Sequence, residues 1–224
     1  MSVLADAGLV AAKDLRIEAR SRVTLAQVLP FGIIVLLLFA FALDPDRGRL
    51  AAVAPGLFWV AVMLAALLAI GRSFAIEQLH GARDGLRLSG IDGAAVFLGK
   101  AAAIAAQLAV LEVLLGLGVA ALYGVDVTSV VVLVAAGMAA TAGLAATGTL
   151  FGVLAAGLRL RETLLPLLLL PVITPVMLGA TRAFESGLGG DPAEGWPWIA
   201  LLGAFAGLYL AVGVLAFGSL WEDA

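Results

Sequence analysis

Apolar runs about as long as a membrane is thick alternate with short polar stretches along the whole chain. Six can be drawn: Thr24–Leu43, Ala51–Ile70, Ala94–Leu122, Val127–Gly157, Thr163–Ala180 and Pro197–Phe217. Each is near or above the roughly 20 residues a helix needs to cross the hydrocarbon core. Lipid offers no partner to backbone N–H and C=O groups, so such runs are predicted to be helices. The third and fourth exceed one crossing and fall short of two, which predicts tilt or extension beyond the bilayer. The expected fold is an all-α polytopic membrane protein with six transmembrane helices in a single domain.

Residues 3–22 precede the first run and are patterned differently. At about 100° per residue, Leu4, Gly8, Ala11, Leu15 and Ala19 share one face and Asp6, Lys13, Arg16 and Arg20 the opposite one. This predicts an amphipathic helix lying in the membrane interface; a solvated helical tail is the alternative. Ala40-Phe41-Ala42 imitates a signal-peptide cleavage site. The run before it is too long and follows too long a charged segment, so a retained first span is expected.

Composition agrees with the pattern. Charged residues are 13% of the 224, hydrophobic ones 63%, and mean hydropathy is +1.13. A soluble fold of this size could not hide so much apolar surface, so the bilayer must be the solvent. The net charge of −3 says little, because the distribution of Lys and Arg sets membrane orientation. In a six-span layout Lys13, Arg16, Arg20, Arg22, Arg72, Arg83, Arg87, Lys100, Arg159 and Arg161 fall on one side, and only Arg47, Arg49 and Arg182 on the other. The positive-inside rule then puts both termini and the segment Gly71–Lys100 in the cytoplasm. That segment holds four of the thirteen basic residues and the only histidine. It is the natural place for a soluble partner to act on the membrane domain.

Several chemistries are excluded or weakened. There is no cysteine, hence no disulfide, thiolate nucleophile or Cys-ligated metal. No basic patch interleaved with aromatics points to nucleic acid. GAAVFLGKA, from Gly93, imitates a phosphate-binding loop, but one residue too many separates Gly93 from Gly99 and Ala101 stands where a Ser or Thr would hold Mg²⁺. Lys100 is therefore expected to be a snorkelling interfacial anchor. His80 is alone and cytoplasmic, and Met63, Met138 and Met177 lie in apolar runs as packing residues. A haem or metal site built by this chain alone is not expected. Neither a Ser–His dyad nor an aspartate pair at membrane depth is present, so the chain is not expected to be an enzyme.

Other residues break the apolar runs. Glu112 interrupts the third span, with Gln107 a turn and a half before it. An intramembrane ionisable group marks either a functional site or a helix-pairing contact, and both readings stand. No second carboxylate or cation completes a proton relay. Gly148 and Gly152 form a GxxxG in a span of small residues, a face for close helix packing within the bundle or across a homodimer. Pro166, Pro171 and Pro175 each remove a backbone donor from the fifth span, predicting a kinked or broken helix near the outer face.

Taken in order, KDLRIEARSR before the first span, FWVAVMLAALLAIGRSFAIEQLHGARDGLRLSGID across the second and its loop, FLGK opening the third, LLPLLLLPVITPVMLGATRA in the fifth and Trp221-Glu222-Asp223 at the end resemble the haem exporter protein B (CcmB) family. These stretches cover nearly the whole length. The resemblance implies an ABC-2-type permease-like subunit of the bacterial cytochrome c maturation system in the inner membrane, without nucleotide-binding motifs of its own. It implies a homodimer working with two copies of an ATPase subunit that binds ATP, a haem-handling membrane subunit and a periplasmic haem chaperone. Hydrolysis would be linked to release of the haem-loaded chaperone, with haem handled by the complex and no cofactor bound directly by this chain. Glu77-x-x-x-Gly81 and the short amphipathic turn after it resemble the coupling helix of ABC-2 permeases. Glu77, Leu79, His80, Gly81, Arg83, Asp84 and Leu86 are thereby the expected ATPase-contacting residues. The alternatives are a permease of the same type for a lipid, drug or polysaccharide, and a membrane scaffold that transports nothing.

Overall fold

The computed structural model describes residues 2–22, 24–43, 47–79, 90–156 and 161–223. Among these, seven α-helices follow one another: α1 (Val3–Ser21), α2 (Leu29–Ala42), α3 (Arg47–Leu79), α4 (Gly93–Tyr123), α5 (Val130–Ala156), α6 (Arg161–Gly187) and α7 (Gly195–Asp223). A wider helical turn, Thr24–Val28, leads into α2, and a short 3₁₀ turn, Pro192–Glu194, into α7. The chain is an all-α multi-pass membrane protein. Five helices are long and apolar enough to cross a bilayer, and the first apolar segment, bent by 53° from α1, supplies a sixth candidate.

Contacts between helices fix their directions. Gly32 lies against Leu115 and the Tyr123 hydroxyl donates to the Leu36 carbonyl at 2.8 Å, so α2 runs parallel to α4. Phe58 lies against Gly116 while Ser73 meets Lys100, so α3 runs antiparallel to both. Gly148 faces Ile70 and Gly152 faces Phe74, which makes α5 parallel to α3. Gly187 meets Leu133 and Gly143 meets Val176, so α6 is antiparallel to α5, while Gly195 meets Val132 and Gly143 meets Ala206, so α7 is parallel to it. The five long helices α3–α7 thus alternate in direction, α2 continues the alternation as the sixth candidate, and the first and last described residues lie at the same side of the bundle.

Local chemistry sets the helix ends. Asp92 caps α4 by accepting from the Ala94 amide at 2.8 Å, and Gly124, at φ +61°, closes it in a left-handed conformation that glycine adopts without strain. At the end of the bundle away from both described termini Val127 and Leu188 form an antiparallel bridge. The amides of Thr128 and Ser129 donate to the Gly187 carbonyl at 3.0 and 3.2 Å, and the Thr128 hydroxyl to the Ser186 carbonyl at 3.2 Å. These bonds join the beginning of α5 to the end of α6.

Two expectations change and a third is narrowed. Helix α3 continues from the second span through residue 79, so residues 71–79 are helix rather than loop. Once the chain leaves lipid a helix no longer needs apolar residues, and hydropathy loses sight of it. Likewise α6 runs unbroken through Pro166, Pro171 and Pro175 to Gly187, past the expected end at Ala180. It is one helix, with the Thr174 hydroxyl bonded to the Leu170 carbonyl within the same stretch. The glycines of the GxxxG are filled from inside the subunit: a Cβ on Gly148 would overlap Ile70, and one on Gly152 would overlap the Phe74 ring. That face is internal packing and is not free for a second copy.

Gly148→Leu should therefore destabilise the bundle by about 1–3 kcal/mol through overpacking. Gly203→Leu, at a position with nothing within 4 Å of the added carbon, should be neutral. Thermal unfolding in detergent checks this; equal midpoints for the two variants would contradict the assigned α3–α5 contact.

Candidate functional site

Two polar features stand out in this apolar bundle, one at its basic end and one at depth. At the basic end α1 lies along the start of α4. Ser2 caps α1, accepting from the Ala5 amide at 3.4 Å, and Arg22 ends it at φ 51° with its amide donating to the Glu18 carbonyl. The helix has three faces. Ala7 and Val10 are buried against the bundle, with Asp14, Ile17 and Glu18 continuing that side. Leu4, Gly8, Leu15 and Ala19 are exposed, and Arg16 and Arg20 occupy the remaining side. The predicted apolar stripe thus turns away from the protein, as an interfacial helix requires, and a second face does the docking.

That docking depends on two adjacent residues. Gly99 admits the α1 backbone: a Cβ there would stand 2.6 Å from the Ala7 carbonyl oxygen and from Val10 Cβ. Lys100 is 0% exposed. Its Nζ lies 3.5 Å from Asp14 Oδ2 and 3.5 Å from Ser73 Oγ, and 4.7 Å above the centre of the Phe74 ring. Asp14 is also paired to Lys13 at 3.0 Å, and Glu18 meets Arg72 Nε at 3.9 Å. This seam pins α1 to α3 and α4. It corrects the expectation of a snorkelling Lys100: desolvating an ammonium is costly unless it is paired, and here a carboxylate, a hydroxyl and a ring surround it.

The second feature is a cleft of about 650 Å³ between α4 and α5. Glu112 lies in it. The Thr141 hydroxyl on α5 donates to Glu112 Oε1, and Oε2 rests against Gly137, 3.3 Å from where a Cβ would stand. Of the two readings of Glu112, helix pairing is realised. Gln107 does not join it. Five residues along a helix turn the side chain by roughly 140°, and Gln107 faces the seam with Asp14, Glu18, Arg72 and Ser73.

The expected coupling residues fall differently. Glu77 and Leu79 lie in the last turn of α3, their side chains outside the described residues, as are His80, Gly81, Arg83, Asp84 and Leu86 altogether. Among the described residues no three His, Asp or Glu side chains gather as metal ligands would. Asp14, Ser73, Glu18, Arg72 and Thr141 were not singled out beforehand. The sequence does carry a signal for two of them: Asp14 and Glu18 share a face with Ala7, Val10 and Ile17.

A family model described as CcmB protein matches residues 7–221. The chain belongs to the CcmB family. Among individual relatives, a Heme exporter protein B of Pseudomonas aeruginosa is 32% identical over 199 residues, covering 88% of this chain and 89% of the relative. That of Escherichia coli K12 is 34% identical over 191 residues, 85% and 86% of the two chains. That of Rhodobacter capsulatus is 30% identical over 182 residues, 81% and 84%. The CcmB match begins in α1 and ends in α7, so it spans both the seam and the cleft.

Asp14→Leu should cost about 3 kcal/mol by leaving Lys100 buried without its carboxylate, and adding Lys100→Met should recover more than half of that. Unfolding of the three variants in detergent closes the cycle. Strictly additive losses would show that the two residues are not coupled.

Proposed function

We propose that this chain is the membrane permease subunit of an ATP-driven haem exporter complex serving cytochrome c biogenesis. The observation that carries the reading is the match over more than four-fifths of the chain to proteins named Heme exporter protein B. The subunit works in the bacterial inner membrane as a pair, with two copies of an ATPase subunit, a haem-handling membrane subunit and a periplasmic haem chaperone. ATP is hydrolysed on the partner, and the energy is spent on haem export or handling and on release of the loaded chaperone. The chain is a transporter subunit and not itself a catalyst. Haem is held axially elsewhere in the complex, because His80, the lone imidazole, lies on the basic side.

Coupling runs through Glu77–Arg87. Leu79 and Leu86 act as apolar anchors in a groove of the ATPase, and Glu77, Arg83, Asp84 and Arg87 form a polar rim, the usual division at an interface. Glu77 belongs to α3, and α3 carries Ser73 and Phe74 of the seam. A displacement imposed on its end is therefore passed to α1 and α4 as well as to the second crossing.

Expression of this chain in a bacterium lacking its own Heme exporter protein B should restore haem-stained c-type cytochromes. Failure to do so with the protein present in the membrane would defeat the proposal. In the same strain Glu77→Ala with Leu79→Ala should strip the ATPase from the purified complex or uncouple it. Truncating such anchors costs roughly 1–4 kcal/mol, about 5- to 1000-fold in affinity.

Orientation is tested separately. The ten-to-three basic asymmetry supports a layout with both termini in the cytoplasm. Reporter fusions after Asp46 and Gly189 should read as periplasmic and one after Arg83 as cytoplasmic. A periplasmic signal at Arg83 would invert the layout and with it the ATPase contact.

A further inference from the structure

The cleft between α4 and α5 does more than house a helix-pairing bond. Its walls are cut back where they face it: Ala105 and Ala109 on α4 and Gly137 on α5 leave open a space that close-packed helices would otherwise fill. About 650 Å³ is within the range of small-molecule sites, roughly 300–1,000 Å³. Val113, Leu117, Val134 and Met138, all lining residues, are exposed, so the cleft opens on the apolar flank of the bundle, the surface that a membrane-spanning bundle turns to lipid.

Its one ionisable side chain is Glu112, and Thr141 is the other polar side chain in the lining. Glu112 uses Oε1 for Thr141 and turns Oε2 over the bare backbone of Gly137. No Lys, Arg or His is among the lining residues. One helical turn further out on α4, Gly116 brings Phe58 to the cleft, 3.9 Å from where its Cβ would stand. Phe58 stacks on Phe184 with ring centres 5.0 Å apart, and both rings line the same space. A carboxylate with aromatic rings about one turn away, roughly 6 Å along the axis, inside an apolar chamber, suits a positive charge on an apolar body. The carboxylate neutralises the charge and the rings attract it through their negative faces.

We propose that this cleft is a binding site for lipid-soluble organic cations, with Glu112 as the charge-recognising residue and Phe58 and Phe184 as the aromatic wall. The ligand enters from the bilayer between Val113 and Met138. Thr141 positions the carboxyl group.

The test uses the purified full-length protein in lipid nanodiscs with tetraphenylphosphonium as probe and tetraphenylborate as an anion of the same shape. Equilibrium dialysis should find saturable binding of the cation and none of the anion. Glu112→Gln keeps a partner for Thr141 and should weaken the cation at least about tenfold, the scale of a lost charged contact. Ala109→Leu fills the cleft without touching the carboxyl group and should abolish binding. It also decides the matter if the Gln variant fails to fold. Cation affinity unchanged in either variant, equal saturable binding of the anion, or no saturable binding of the cation would each overturn the proposal.

Discussion

Within a bilayer, apolar surface is already in an apolar solvent, so burying it against another helix gains little. What remains to hold helices together is close van der Waals approach and the few polar contacts available. This protein is organised around that constraint. At Gly148, Gly152, Gly187 and Gly213 the missing side chain is replaced by one from a neighbouring helix: Ile70, Phe74, Leu133 and Phe97 in turn. At Gly99 it is replaced by the backbone of α1 itself. Each is a site where an added carbon has nowhere to go. These contacts set how closely α3 approaches α5, α5 approaches α6, and α4 approaches α7 and α1.

Against that background polar side chains are few and specific. Tyr123 reaches across to a carbonyl of α2, Thr141 reaches Glu112, and Lys100 gathers Asp14, Ser73 and the Phe74 ring. Each lies on a different pair of helices. Where glycine contacts decide how near two helices come, these bonds decide which rotation about the axis is chosen, because an unmet donor in lipid is costly. The basic end of the bundle is thereby tied through α1, while the opposite end is tied by backbone bonds between the turns at Thr128 and Gly187.

The crossings were legible in the sequence because their cause is local: a run of apolar residues long enough for the membrane. Where they end was less legible. Residues 71–79 and 181–187 stay helical in polar sequence, where hydropathy has nothing to report. Contacts were legible only in part. The spacing of Gly148 and Gly152 announces a close approach but not the identity of Ile70 and Phe74. Lys100 looked like an anchor because its carboxylate is 86 residues away, and Glu112 was ambiguous because Thr141 lies 29 residues on. That Gln107 and Glu112 point apart was calculable from helix geometry alone. The cleft itself arises from two helices together, and neither wall reveals it singly.

The distance in sequence between Asp14 and Lys100 has a consequence for biogenesis. Asp14 leaves the ribosome 86 residues before its partner, so α1 waits while two crossings are inserted. Its exposed Leu4 and Leu15 give it a membrane surface to rest on meanwhile, with the carboxylate still hydrated. Only when the beginning of α4 arrives can the pair form and lose its water together. A chain that inserts α4 at the wrong depth cannot form the contact between Asp14 and Lys100. Closure of α1 against the beginning of α4 thus comes only after the first half of the bundle is in place.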